Sequence, residues 1–423
     1  MSAQGDGNVL YAQSGGVSAV INATAAGLID AVLADGPERK IFAARNGILG
    51  ALQEELIDIA AEDPAELALL HQTPGGAFGS CRFKLPDADQ DERPYRRLRE
   101  VFRAHGIGHF FYNGGNDSQD TTNKIDAWFR AQGHPLNCIG LPKTVDNDLA
   151  GTDNCPGFGS VAKYIAVSVR ECALDVASMC ATSTKVFILE VMGRHAGWIT
   201  AAGALARSAP EDAPHLLLFP EVAFDPGDFI ARVRSQVERS GYCVVVASEG
   251  IRTAEGEFLA AAGGAGDAFG HAQLGGVAPH LAHQVQEAGL KTHWATADYL
   301  QRAARHIASG CDVEQACALG RSGWQLARTG ASGVMLGIRR LSDAPYRWEV
   351  EPVELGSVAN LEKCLPENFR SADGYDVTPE CLAYLRPLVL GEAAPSYNPE
   401  TGLPNYARLK CRLAEKKLPD YQP

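Results

Sequence analysis

His109-Phe110-Phe111-Tyr112 runs into Asn113-Gly114-Gly115-Asn116-Asp117-Ser118, and a segment of helical period continues to Arg130. A second apolar run, Asn137 to Leu141, then breaks into Pro142-Lys143-Thr144-Val145-Asp146-Asn147-Asp148. Short continuous apolar runs bounded by turns mark strands buried on both faces, and the helix between them is the crossover that a parallel pair requires. Val9 to Ala12, Ile41 to Ala44, Val186 to Val191, Leu216 to Phe219 and Cys243 to Ala247 read as further strands. Arg93 to His105, Ser160 to Met179 and Asp228 to Arg239 read as helices. The alternation predicts an α/β protein of two Rossmann-like lobes, with mainly parallel sheets, crossover helices and ligands outside the carboxyl ends of the strands.

The boundary is expected near Gly151. Residues 1–150 form one expected lobe, completed by about 300–345, and residues 151–300 the other. Past Arg340 the alternation fades through Tyr346 to Val353 into a proline-rich stretch, so 346–423 is expected as an irregular C-terminal extension packed on one lobe.

At 423 residues the chain exceeds a single core. Its 51 acidic and 38 basic residues give a formal charge of -13, and no basic run marks a nucleic-acid or lipid partner. Eleven cysteines without a Cys-x-x-Cys pair suggest reduced thiols, with neither disulfides nor zinc. No stretch resembles a secretory start or a membrane span, so a cytoplasmic location is expected.

Three turns after strands concentrate the chemistry: Gln13-Ser14-Gly15-Gly16 and the two quoted above. Gly114-Gly115 lets the backbone approach a ligand, and Ser118 is expected to cap the next helix, whose free amides suit an anion. Asp117 would repel a bare phosphate, so the combination implies a metal-bound one; an acidic cap on a tight turn is the alternative. Gly15 and Gly16 make a weaker version of the same turn, which sterics alone also explain. The loop from Thr73 adds glycines and then a fixed cation, Arg82, able to close over a phosphate. Lys143, Asp146 and Asp148 crowd a cation and two carboxylates into six residues. Neighbouring carboxylates raise each other's proton affinity and a lysine lowers it, so one aspartate suits a general base and the other a metal or water. A solvated acidic loop turned by Asn147 is the plainer alternative.

Met192-Gly193-Arg194 ends the strongest apolar run, where Arg194 suits bidentate capture of a sugar phosphate; His195 and Trp198 read as packing residues. Glu249 suits a sugar's hydroxyls or an ordinary turn. Arg302, close to Tyr299 near a helix start, is either a second phosphate clamp or a surface cation. Gly157-Phe158-Gly159-Ser160-Val161-Ala162 matches a dinucleotide fingerprint and supports a rival dehydrogenase, but that fingerprint requires a strand directly before it, and Asp146 to Pro156 is polar. Neither a Walker-type phosphate loop nor a His-Glu-x-x-His zinc motif occurs.

In this order, Ser-Gly-Gly, Gly-Gly-Asn-Asp-Ser, Pro-Lys-Thr-Val-Asp-Asn-Asp, Met-Gly-Arg, Glu-Gly and Tyr-Leu-Gln-Arg resemble the phosphofructokinase family, over roughly residues 9–330. The resemblance implies that Asp146 takes the proton from the 1-hydroxyl of fructose 6-phosphate and that Thr144 and Asp148 position the reacting groups. It implies a sugar-phosphate pocket of Met192, Gly193, Arg194, Glu249, Tyr299 and Arg302. Lys185 falls where the family places a cation reaching the neighbouring subunit's site, which implies a homodimer or homotetramer with shared active sites. Magnesium is the implied cofactor, with Asn116, where many members have an aspartate, and Asp117 as candidate ligands. His293 stands roughly where a family arginine often holds the sugar phosphate and is left unassigned.

ATP-using members generally resemble Gly-Gly-Asp-Gly-Ser and Pro-Gly-Thr-x-Asp-Asn-Asp, whereas Asp117 and Lys143 replace the two glycines here. The chain therefore looks like a pyrophosphate-dependent member. A carboxylate at 117 repels an α-phosphate by on the order of 4 kcal/mol, at about 4 Å and an effective dielectric of about 20. Lys143 supplies charge to the transferring oxygens, with Gly15, Gly16 and Arg82 beside it on the diphosphate. Asp146, Lys143, Asp117 and Asp148 are thus the expected catalytic group. ATP as donor, an NAD-dependent oxidoreductase and a non-catalytic sugar-phosphate sensor are the alternatives.

Overall fold

The structure, a computed structural model, describes residues 7–260, 274–359 and 361–422. In chain order the strands are β1 (Asn8–Gln13), β2 (Ile41–Ala44), β3 (Leu56–Asp58), β4 (Ile107–Gly114), β5 (Asn137–Pro142) and β6 (Val186–Val191). They continue with β7 (Leu216–Leu218), β8 (Cys243–Ser248), β9 (Thr292–Thr296), β10 (Val334–Asp343) and β11 (Tyr346–Glu354). One sheet has the order β11-β10-β5-β4-β1-β2-β3 and the other β7-β8-β6-β9. The second is parallel throughout, and in the first only the edge strands β3 and β11 run antiparallel to their neighbours.

The apolar runs are continuous because helices cover both faces. Val9 and Tyr11 face a core shared with helices Ile21–Ala34 and Gly310–Ala327, while Leu10 and Ala12 face one shared with Arg93–Ala104 and Asn116–Ala131. The second sheet is covered likewise by Phe158–Met179 on one face and by Pro226–Ser240 and Val277–Glu287 on the other. Among the described residues no helix is long and apolar enough to cross a membrane.

Two expectations about the C-terminal third are corrected. Tyr346 to Val353 is not the start of an extension, because β11 pairs with β10 from Asp343↔Tyr346 to Val334↔Glu354 and completes the first sheet. Its alternation of charged and apolar residues is that of an edge strand. The irregular stretch after it packs on both lobes rather than one. Leu365, Cys381, Leu385 and Leu388 join the core of the second sheet, and Ala407, Leu409, Ala414 and Leu418 lie against the first.

Carboxylates hold this last stretch by its backbone. Glu66 accepts the Arg408 amide at 2.5 Å, Glu62 that of Lys410 at 2.7 Å, and Glu54 those of Lys417 and Leu418 at 2.6 and 3.1 Å. Glu54 is fully enclosed and also contacts His105 Nε2 at 2.7 Å. Burial opposes its charge, but the Lys417 amide, His105 and the Leu418 amide outweigh it and hold the carboxyl below the usual range. Glu54→Ala is expected to destabilise the fold by about 3 kcal/mol, because it strands buried donors. Urea unfolding checks this. A carboxyl depressed in the folded state stabilises fully above its unfolded pKa and loses that effect as pH falls, so the gap to Glu54→Gln should close in acid.

Candidate active site

The strand ends of the two sheets face one another across a crevice with two joined cavities. The first, about 640 Å³, is walled by the turns after β1, β4 and β5. The second, about 720 Å³, reaches the ends of β6, β8 and β9. Gly16, Arg82, Lys143, Thr144, Asp146 and Arg194 line both.

The turn after β5 supplies the shared wall. The Lys143 amide donates to Gly114 O at 3.1 Å, which continues the β4–β5 ladder, and its buried ammonium donates to Gly16 O at 2.5 Å. Asn147 then takes a left-handed φ of 55°, a conformation asparagine tolerates. Its amide group is locked, accepting from Cys155 N at 2.9 Å and donating to Tyr384 Oη at 3.0 Å. The plainer alternative thus has the turn residue right and the solvation wrong: the flanking carboxylates of Asp146 and Asp148 line a cavity, and Asp146 Oδ1 is enclosed without a protein partner.

Enclosure sets the charge states. Burial, then the charges of Asp148 and Glu249, push Asp146 up to about 7 against the pull of Lys143 and Arg194. Burial also raises Asp148, although the Thr144 hydroxyl favours its charged form. Lys143 is brought down to about 8 by burial and by Arg302, with Asp146 and Asp148 opposing. A base and an acid therefore stand side by side with pKa values near neutrality.

The turn after β4 differs from expectation at one residue. Helix Asn116–Ala131 starts at Gly115 with no side-chain cap, so Ser118 does not cap it; Ser118 is buried in the first turn. Gly115, Asn116, Asp117 and Ser118 line the first cavity, with the Ser118 amide already donating to Gly115 O at 3.0 Å. Asn116 Oδ1 is enclosed and unpartnered. Asn22, which no sequence pattern singled out, anchors the opposite wall: its Nδ2 donates to Thr73 O at 2.9 Å and its Oδ1 accepts Ala77 N at 3.1 Å. That fixes the glycine-rich loop leading to Arg82.

On the other side Gly193 has φ 131°, and a Cβ there would lie 2.6 Å from Ala196 O, so the bend after β6 requires glycine. Ser248 Oγ donates to Gly193 O at 2.6 Å, and Gln301 Oε1, from the Tyr-Leu-Gln-Arg stretch, accepts the Met192 amide at 3.4 Å; Ser248 was not identifiable beforehand. Burial raises Glu249, with the Gly193 amide and Arg194 opposing. Arg302 lies 3.8 Å from the centre of the Tyr299 ring, and both line the second cavity, so Arg302 is not a mere surface cation.

Not every residue converges. Lys185 lies at the amino end of β6, opposite Met192, and its ammonium donates to Cys180 O. His293 is exposed on β9 and lines neither cavity. His195 does pack, its ring stacked on Phe258 with centroids 6.4 Å apart, but it also lines the first cavity, with Nδ1 3.0 Å from Glu362, a cavity carboxylate contributed by the C-terminal stretch. Trp198 does pack, against Phe158, Phe369 and Tyr384. The dinucleotide reading of Gly157 to Ala162 fails physically, since the buried Asp312 carboxylate already takes the Gly157 and Ser160 amides at 2.9 Å each.

A charged crevice reached by strand ends from two parallel-stranded lobes is the architecture of an α/β phosphotransferase. The chain belongs to the phosphofructokinase family, whose profile matches residues 8–322. It is 59% identical over 418 residues to the pyrophosphate–fructose 6-phosphate 1-phosphotransferase of Xanthomonas campestris pv. campestris (strain B100), covering 99% of each chain. A relative of the same name from Halomonas elongata is 55% identical, with 98% of this chain and 99% of the relative covered. The solved pyrophosphate-dependent phosphofructokinase of Marinobacter aquaeolei superposes with a TM-score of 0.90 at 51% identity, covering 99% of this chain and all of that one.

A carboxyl raised in the folded state costs stability above its unfolded pKa, and the cost is complete once pH passes the folded value. Asp146→Asn is therefore expected to melt several degrees above the unmodified protein at pH values above about 7, with the difference vanishing near pH 4. Thermal melts of the ligand-free protein at the two extremes check this.

Proposed function

We propose that this chain reversibly transfers a phosphoryl group from pyrophosphate to the 1-hydroxyl of fructose 6-phosphate, giving fructose 1,6-bisphosphate and phosphate. The observation that carries the reading is that Asp146 and Lys143 line both cavities at once, so one base and one cation touch donor and acceptor together. Pyrophosphate occupies the first cavity, against Gly15, Gly16, Arg82 and the start of the helix Asn116–Ala131. The sugar phosphate occupies the second, with Arg194 and Arg302 on its phosphate and Glu249 on its hydroxyls.

In the forward step the 1-hydroxyl oxygen attacks phosphorus while its proton passes to Asp146, and the bond to the departing phosphate breaks. Lys143 stabilises charge on the transferring and leaving oxygens. A base titrating near 7 also returns the proton readily, which suits a reaction run in both directions. Asn116 Oδ1, enclosed and unpartnered, and the Asp117 carboxylate beside it fit magnesium, which commonly takes one or two protein oxygens and completes its shell with phosphates and water. Magnesium there would neutralise diphosphate charge.

Donor choice follows from the same wall. The Lys143 ammonium against Gly16 O, and Asp117 at the cavity edge, leave a site with charge for two phosphates and a repulsive carboxylate where a third would extend. The thiols and the acidic balance fit a cytoplasmic enzyme without a polyanionic partner. Lys185 lies far from its own chain's cavities, near exposed Met179, while Trp294 is exposed on the unpaired edge of β9; both features suit an interface in a homodimer or homotetramer with shared sites.

Three outcomes are expected. The ratio of kcat/KM values at fixed magnesium should favour pyrophosphate over ATP, with Asp117→Gly plus Lys143→Gly weakening pyrophosphate use and admitting some ATP; a wild-type preference for ATP would overturn the donor assignment. Asp146→Ala should lower turnover by about 10²–10⁴-fold while changing sugar-phosphate binding little, as single-turnover kinetics and calorimetry would register. Mixed oligomers of Asp146→Ala and Lys185→Ala subunits should recover part of the activity, and no recovery would argue that each site is built within one chain.

A further inference from the structure

Away from the crevice, three side chains from distant parts of the chain line up. His71 Nδ1 lies 3.3 Å from Cys317 Sγ, and its Nε2 lies 2.7 Å from Asp30 Oδ2. The main chain of the same residue is held as well, because Arg305 Nη2 donates to His71 O at 3.1 Å. Hydrogen bonds from Asp30 and then Cys317 push His71 up to about 10, so the imidazolium donates from both nitrogens at neutral pH. A sulfur beside an imidazolium that is itself oriented by a carboxylate is in the setting of a nucleophilic thiolate. The first cavity and the second contain none of the three residues.

We propose that Cys317, His71 and Asp30 form a sulfur–imidazole–carboxylate relay, a modification site at which Cys317, its proton held on His71, is oxidised by hydroperoxides. The Cys317 sulfur attacks one peroxide oxygen, an S–O bond forms and the O–O bond breaks. The leaving hydroxide takes the proton from His71 Nδ1 and departs as water, or as an alcohol from an alkyl hydroperoxide. Sulfur loses two electrons and the peroxide gains them, leaving a sulfenic acid beside a neutral imidazole. The His71 side chain is about one-third exposed and Cys317 behind it is buried, so a small oxidant must enter beside the imidazole to reach the sulfur.

The position of the sulfur links this chemistry to the crevice. Cys317 lies where helices Ile21–Ala34 and Gly310–Ala327 cross in backbone contact: a Cβ on Gly27 would lie 2.2 Å from Cys317 O, and one on Gly320 2.1 Å from Thr24 O. The first helix follows the Gly15-Gly16 turn, and the second carries Asp312, which holds the far end of the catalytic loop. An oxygen added to Sγ alters its 3.3 Å contact with His71 on a helix packed backbone to backbone against its neighbour, and that is the route by which oxidation reaches the crevice.

The test uses the full-length protein and limiting hydrogen peroxide, with a sulfenic-acid-specific carbon nucleophile read by peptide mass spectrometry. Cys317 should label before Cys364, which is exposed but has carboxylates rather than an imidazolium beside it. His71→Gln and Asp30→Asn should each slow Cys317 labelling at least about tenfold, with Asp30 exposed enough to be replaced without disturbing the fold. Labelling of Cys364 first, or an unchanged Cys317 rate in both variants, would overturn the relay. Peroxide should also lower turnover in a way that a thiol reductant reverses, and Cys317→Ser should resist it. Equal inactivation of Cys317→Ser would overturn the link to activity, whatever substrate the crevice proves to use.

Discussion

One buried carboxylate holds the far end of the loop that follows β5. Asp312 accepts the Gly157 amide through one oxygen and the Ser160 amide and hydroxyl through the other. The segment from Lys143 to Pro156 is irregular and polar, yet it runs between two lobes where backbone groups have little access to water. Each such group must find a partner, and the cost of leaving one without is comparable to a lost hydrogen bond. Thr144 bridges to Gly157 at the loop's closure, Asn147 braces Cys155, and Lys363 donates to the Thr152 and Asp153 carbonyls. With the loop closed in this way, Asp146 and Lys143 have little freedom, and their charges must be borne where they stand.

That confinement explains the electrostatics. In water, carboxylates and a lysine at this spacing would titrate at ordinary values. Enclosure disfavours charge on both, and moves Asp146 up and Lys143 down toward each other. The arrangement sacrifices stability for reactivity, a trade common at active sites. The C-terminal stretch serves the same end: it contributes Tyr384 to the Asn147 turn, Lys363 to the loop carbonyls and Glu362 to the first cavity. Its far half, clamped by Glu54, Glu62 and Glu66, ties these contributions to the first lobe.

Strands β1, β2 and β4 to β8, the helices around Arg93, Ser118, Ser160 and Asp228 and the three chemical turns were readable in the sequence, because each is written in neighbouring residues; β3, β10 and the helices Ile21–Ala34, Val277–Glu287 and Gly310–Ala327 were not read. A strand covered on both faces must be apolar at every position, and a turn that approaches a ligand must carry glycine or a small polar residue. Asp117 and Lys143 were read as donor-side residues by a different route, the resemblance to the phosphofructokinase family, in which ATP-using members generally have glycine at both positions. The edge strands β9 and β11 lacked the strand signal, since β9 is buried only at Thr292 and β11 has no fully buried position, so neither carries a continuous apolar run.

What the chain could not declare locally depends on residues brought together from afar. Asp312 at Gly157, Glu362 at His195 and Asn22 beneath the Thr73 loop are contacts across 155, 167 and 51 positions. Cys317 and His71 are 246 apart. No spacing rule connects such pairs, because the entropy of closing a long loop depends only weakly on its length, and packing of the whole fold determines which partners meet. The sequence alone determined which chemical groups the strand-end turns would carry. Tertiary structure decided which of them are enclosed and beside what, and so where their protons lie.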